Sequence, residues 1–149
     1  MVRDVFFMQE AIGEAKKAQS FDEIPVGAVI VDKHGTIVAR AYNQVEQKKS
    51  QMAHAEILAL QQLALVQDNW RLEDYTIYVT LQPCMMCMGA LLLYRIKGIV
   101  YGAKSPVYGV NIEVFDISPA YTSATTIYAG VCAQEISLML KDFFVRKRE

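Results

Sequence analysis

The sequence offers little that could span a membrane, staple a secreted fold or hold a polyanion by bulk charge. Its longest apolar stretch runs only from Met85 to Tyr94, well short of the roughly 20 residues that a bilayer span requires. The opening MVRDVFFMQEAIGEAKK scatters acids and bases among its apolar positions, which is not the pattern of a secretory signal. A cytoplasmic protein with no membrane partner is the expectation. Cysteine is scarce: Cys84, Cys87 and Cys132 cannot all pair within one chain. In a reducing compartment a close cysteine pair points to metal or catalysis before disulfide. Fifteen Lys and Arg stand against 16 Asp and Glu, for a net charge of −1, so bulk electrostatics do not favour nucleic acid. Basic residues gather only locally, at Lys48-Lys49 and at Arg146-Lys147-Arg148, where a solvated surface and a frayed terminus account for them equally well.

Repeats, low-complexity segments and Gly/Ser/Pro-rich linkers are also missing. The 149 residues, 53% of them hydrophobic, therefore read as one domain over 1–149 with a real core. Val5, Met8, Ile12 and Ala15 recur at helical spacing and mark an amphipathic first helix. Pro25 to Val31 reads as a strand, Asp32-Lys33-His34-Gly35 as a turn, and Thr36 to Tyr42 as the returning strand of a hairpin. Ala55 to Leu65 is built of strong helix formers, and Thr76 to Thr80 is β-branched and aromatic. Pro83 suits the first turn of a helix running to about Tyr94. Gly98 to Tyr101 and Thr125 to Ala129 read as two further strands, before a last helix from about Gln134 to Phe144. This order predicts an α/β fold, a three-layer α/β/α sandwich with one mixed sheet of about five strands and helices on both faces.

The chemistry concentrates in Pro83-Cys84-Met85-Met86-Cys87. A redox pair would want a small, exposed turn, and the Met-rich flank is not one. A tetrahedral zinc site takes nitrogen and sulfur ligands, and a catalytic one leaves its fourth position to water. Cys84 and Cys87, three apart at a helix start, share one face, and the positive end of the helix dipole favours thiolates there. Of the two histidines, His34 sits in a turn, whereas His54 opens the second helix. If neighbouring strands deliver both helix starts to one sheet edge, His54, Cys84 and Cys87 converge as three ligands. Cys132 could serve as a fourth, but it brings no second close ligand with it. Glu56, two residues after His54, has two readings: a first-turn acid complementing the dipole, or a carboxylate able to move protons beside zinc-bound water. Spacing alone does not separate them.

His54-Ala55-Glu56 and Pro83-Cys84-Met85-Met86-Cys87 fit the H-x-E…P-C-x-x-C signature of zinc-dependent nucleobase deaminases. PVGAVIV, AHAEILAL, the run from Asn69 to Lys104 and the closing LMLKDFF widen the likeness. Over nearly its whole length the chain resembles the bacterial tRNA-specific adenosine deaminases. The resemblance implies a cytidine-deaminase-like sandwich, a homodimer, and one Zn2+ per subunit held by His54, Cys84 and Cys87. It implies hydrolytic conversion of the wobble adenosine (A34) in a tRNA anticodon loop to inosine, by zinc-hydroxide attack at C6 with Glu56 as proton shuttle. Asn43 would hydrogen-bond the flipped base, Val26 would line its pocket, and the backbone amides near Ala55 and Cys84, at the two helix starts, would orient the water. Lys104, Phe144 and Arg146 would lie near RNA.

The chain departs from that pattern at several places. Gln82 stands where the family usually carries glutamate, and Ser50-Gln51-Met52 replaces an Asp-Pro-Thr turn. Tyr94 replaces a serine. The segment KSPVYGVN, Lys104 to Asn111, is bulkier and less charged than the family's glycine-rich loop at the RNA. A free base or nucleoside deaminase of guanine or cytosine type uses the same zinc motif and is the first alternative. A non-catalytic, zinc-stabilised RNA-binding subunit is the second, and the presence of Glu56 speaks against it.

Overall fold

The computed structural model describes residues 2–148; Met1 and Glu149, the ends of the expected 1–149 domain, lie outside the described residues. The long helix α1 (Val2–Ser20) leads into a hairpin of β1 (Gly27–Val31) and β2 (Ile37–Tyr42), and a single turn, α2 (Val45–Lys48), follows. Helix α3 (Ala55–Ala64), β3 (Thr76–Leu81), α4 (Met85–Leu93) and β4 (Gly98–Ala103) then alternate. After a 3-10 turn at Ile112–Val114 come α5 (Pro119–Thr122), β5 (Thr126–Ala129) and α6 (Ala133–Arg148).

The five strands form one mixed sheet in the order β2-β1-β3-β4-β5. β1 runs antiparallel to both neighbours, while β3, β4 and β5 are parallel and so need crossovers, of which α4 is one. β1 is buried at every position, which is why it is an unbroken apolar run rather than an alternating one. Its side chains still alternate by face. Ala28 and Ile30 join Leu60, Ile77, Val79, Leu91 and Ile99 under α3 and α4; Val29 and Val31 join Met8, Ile12 and Ile136 under α1 and α6. Helices thus cover both faces of one sheet, the expected α/β/α sandwich.

Two local expectations are corrected, and three short elements are added to the reading. The apolar stripe of α1 is buried at Met8, Ile12 and Ala15, but Val5 is 46% exposed, because there it meets only the rim beside the largely exposed strand β5. Pro83 lies outside α4, not in its first turn. Cys84 caps that helix with extended backbone (φ −74°, ψ 176°). It pairs strand-fashion with Gly109, and the Pro83 carbonyl accepts from the Val110 amide at 3.0 Å. Finally, α2, α5 and the 3-10 turn escape the sequence reading, since elements of three or four residues are too short to show a period.

Gly27 allows α1 to lie directly on the sheet. A Cβ at that position would run into the Ala11 carbonyl and the Ala15 amide, main-chain atoms of α1 that cannot swing aside. Gly27→Ala is therefore expected to destabilise the protein by about 2–3 kcal/mol, read as a lowered urea midpoint at unchanged slope.

Candidate functional site

α3 and α4 pack on the same face of the sheet, and their first turns meet. Each helix begins after a residue in extended conformation, His54 (φ −76°, ψ 151°) and Cys84. Neither cap makes the side-chain hydrogen bond that Ser, Thr, Asp or Asn would supply there. The caps instead turn their ring and sulfur toward one another. His54 Nδ1 lies 3.6 Å from Cys84 Sγ and 3.5 Å from Cys87 Sγ, and the three ligand atoms fall within 4.8 Å of one another. Tetrahedral zinc, with Zn–N near 2.0–2.1 Å and Zn–S near 2.3 Å, demands an N···S edge of about 3.6 Å. The donor atoms already stand at that spacing, so the residues fit the metal. Among the described residues this is the cluster able to hold an ion. His34 is exposed in the Asp32 turn, and Cys132 sits apart as an acceptor for the Gln9 amide at 3.6 Å.

Glu56 is 4% exposed, yet it lines the same cleft as His54 and Cys84. Burial pushes its carboxyl up to about 7, with its own backbone amide and His54 opposing. Hydrogen bonding from Cys87, and then from His54, draws the Cys84 thiol down to about 3 against burial. The same Cys84 contact, with burial, raises Cys87, and His54 is raised chiefly by its hydrogen bond to Cys84. A cation held here would displace the protons of these groups, since its ligands bind deprotonated.

The cleft over this cluster measures about 930 Å³. Val26 and Asn43 line it together, joined by the Asn43 amide donating to the Val26 carbonyl at 3.0 Å. Asn43 is 7% exposed, and among the described residues its side-chain amide has no partner within the chain. Ala55 is fully buried in the first turn of α3 and does not line the cleft. At the mouth, Phe143, Phe144 and Lys147 face inward, and Lys147 reaches Asp22 at 2.6 Å. The helical period of α6 turns Arg146 about 100° away from Lys147, into a separate depression with Gln19, Glu135 and Asp142. Lys104 is exposed just past β4 and outside the cleft. The structure thus gathers His54, Glu56, Cys84, Val26, Asn43 and Phe144 around one space and leaves Lys104 and Arg146 off it. Cys87 lies buried behind the cluster.

Glu23 is a cleft residue that the sequence reading passed over. Fully buried, it accepts from the Glu46 and Gln47 amides at 2.9 and 2.7 Å, pinning the start of α2 and with it the segment bearing Asn43. Its only trace in the sequence is an acid two places before Pro25.

The family model for the cytidine and deoxycytidylate deaminase zinc-binding region matches residues 1–103. The chain belongs to this zinc-binding deaminase family. Within it, the tRNA-specific adenosine deaminase of Bacillus subtilis (strain 168) is 39% identical over 151 aligned residues, covering 100% of this chain and 93% of that one. A solved structure from work on A-to-I editing by tRNA:A34 deaminases shares 34% identity with a TM-score of 0.77, over 90% of this chain and 98% of the other. A guanine deaminase from Nitrosomonas europaea superposes with a TM-score of 0.78 at 21% identity, covering 93% and 83%, a likeness of fold. The deaminase is a zinc enzyme, and the His54, Cys84 and Cys87 cluster is its candidate cofactor site. No helix among the described residues is long and apolar enough to cross a membrane.

Removing a ligand should empty the centre, because three donors are the fewest that leave one position for water. His54→Ala and Cys87→Ala are expected to retain less than about a tenth of the zinc of the native protein, measured as metal per chain after gel filtration. Glu56→Ala should keep full occupancy.

Proposed function

We propose that this deaminase converts the wobble adenosine (A34) of a tRNA anticodon loop to inosine, releasing ammonia. The observation that carries the reading is a carboxyl buried in a large open cleft beside three metal ligands, Glu56 among His54, Cys84 and Cys87. Those three residues would hold the zinc, which would supply an activated water at neutral pH. The Glu56 carboxyl would take a proton from that water and deliver it to N1 of the adenine, so that C6 can accept the incoming oxygen. A second transfer through the same carboxyl protonates the amino nitrogen, which leaves as ammonia. The Asn43 side-chain amide, unpartnered in the cleft, offers a donor and an acceptor to the purine edge. Val26 packs against its face.

The size of the cleft accommodates a nucleotide of a nucleic-acid loop together with its neighbour. At about 930 Å³ it stands at the upper end of the roughly 300–1,000 Å³ of small-molecule pockets and takes more than one base. Anticodon bases are unpaired, so splaying one into a buried site costs little. The near-neutral chain leaves such recognition to shape and stacking. We place the activity in the cytoplasm, in one domain over 1–149. We also propose a homodimer: Met85, Gly89 and Leu93 form an exposed stripe down α4 that a second copy would cover.

An A34 anticodon stem-loop should yield inosine, and free adenosine, guanine and cytidine should not react. Glu56→Ala is expected to lower turnover at least about 100-fold with zinc and fold intact, followed by inosine release under single-turnover conditions. Full activity in that variant would sink the mechanism, and turnover of a free base alone would sink the substrate. Sedimentation equilibrium should give twice the chain mass, and Leu93→Glu should halve it.

A further inference from the structure

Two features of this chain, Gln82 and the segment Lys104 to Asn111, meet in the structure. Gln82 lines the cleft two residues before Cys84. Its Oε1 accepts from the Ser105 backbone amide at 3.1 Å, and its Nε2 donates to the Val110 carbonyl at 3.2 Å. One side-chain amide therefore closes both ends of the loop from Ser105 to Val110. The assignment of its oxygen and nitrogen is dictated by those partners: a backbone N–H needs an acceptor, a carbonyl needs a donor. A glutamate could keep the first bond but has no proton for the second. The loop is moulded to the amide as well. A Cβ at Gly109 would strike the Gln82 carboxamide, and the Ser105 carbonyl lies within 2.6 Å of it. The Cys84–Gly109 bridge and the Val110 amide on the Pro83 carbonyl lay this loop against the turn that carries the zinc thiolate.

What the loop presents is Tyr108. It lines the cleft and is 76% exposed, an aromatic face at the mouth with no packing role inside the fold. Unpaired bases are held by stacking on such faces. We propose that Gln82 is a positioning residue and Tyr108 a specificity-determining one: the Gln82 amide fixes the loop so that the Tyr108 ring stacks on a base flanking the reacting adenosine. This rests on the reading of a single-stranded RNA loop as substrate. Gln82 acts only through the loop, touching neither the base nor the metal.

The test compares Gln82→Met, Gln82→Glu, Tyr108→Ala and the Gln82→Met/Tyr108→Ala double variant in the zinc-loaded protein. Steady-state kinetics on the A34 stem-loop are read beside hydrogen exchange of the loop amides. Tyr108→Ala should raise KM on the order of tenfold with kcat within about twofold, and Tyr108→Phe should restore KM. Gln82→Met should raise KM by a similar factor and speed exchange at the Ser105 amide, with Gln82→Glu between it and the native protein on both counts. The double variant should be no worse than the worse single one, because two residues acting through one contact do not add. Multiplying effects, an unchanged KM in Tyr108→Ala, or a loss confined to kcat would overturn the proposal. So would native exchange at Ser105 in Gln82→Met. Should Gln82→Met fail to fold, Gln82→Glu carries the same comparison in an isosteric side chain. If the native protein makes no inosine from the stem-loop, the substrate reading and the stacking role of Tyr108 fall together, while hydrogen exchange still decides whether Gln82 fixes the loop.

Discussion

Two helix N-termini brought side by side on one sheet face are the constraint on which the rest of this deaminase depends. A helix start leaves main-chain N–H groups unpaired and a positive end to its dipole, and here two such ends share one small space. Ordinary capping side chains would close each helix separately. His54 and Cys84 occupy the capping positions without capping and spend their ring and sulfur on each other and on Cys87. The N···S spacings follow from where the sheet delivers the two helices, so the ligand geometry is set by packing of Leu60, Ile77, Val79 and Leu91 as much as by the ligands. With zinc bound, two thiolates would be tolerable there, because both helix ends and the cation would oppose their charge.

Buried acids divide by what satisfies them. Glu14 is held by Lys17 and Arg40, and Glu23 by two backbone amides; each is fully partnered and serves to position. Glu56 lines the cleft beside the metal-ligating candidates, and burial pushes its carboxyl upward against its own backbone amide. A carboxyl so placed is free to exchange a proton with whatever enters, as a proton carrier requires. Asn43 repeats the logic in a neutral group: its backbone is tied to Val26 while its side chain faces open space. The polar anchors around the cleft therefore hold its walls, while Glu56 and the Asn43 side chain line the open space.

Much of the fold was legible because its signals are local. The all-apolar β1 and the β-branched β3 declared themselves as strands, and AEILALQQLA as a helix. Element ends read less well. Pro83 looks like the first turn of a helix until the Val110 amide and the Gly109 bridge hold the backbone extended around it. Arg146 and Lys147 cannot be told apart as neighbours in a basic run. On α6, only the packing of Phe143 decides that Lys147 turns to the cleft and Arg146 away. Glu23 carries no motif, since its partners are amides more than twenty residues on.

The sequence alone determined the chemistry: which residues could bind zinc, which acid could carry protons, and which signature they compose. Ligand type and spacing are properties of side chains and of helix starts, and both are written locally. The tertiary structure alone decided which of the candidate side chains share a space. It set His54 against the two cysteines and left His34 and Cys132 out. It turned Glu56 inward despite a spacing that would separate it from His54 along a regular helix. It also joined Gln82 to a loop whose composition gives no hint of the connection. Those outcomes depend on long-range packing, where one face of a sheet chooses neighbours that lie far apart along the chain.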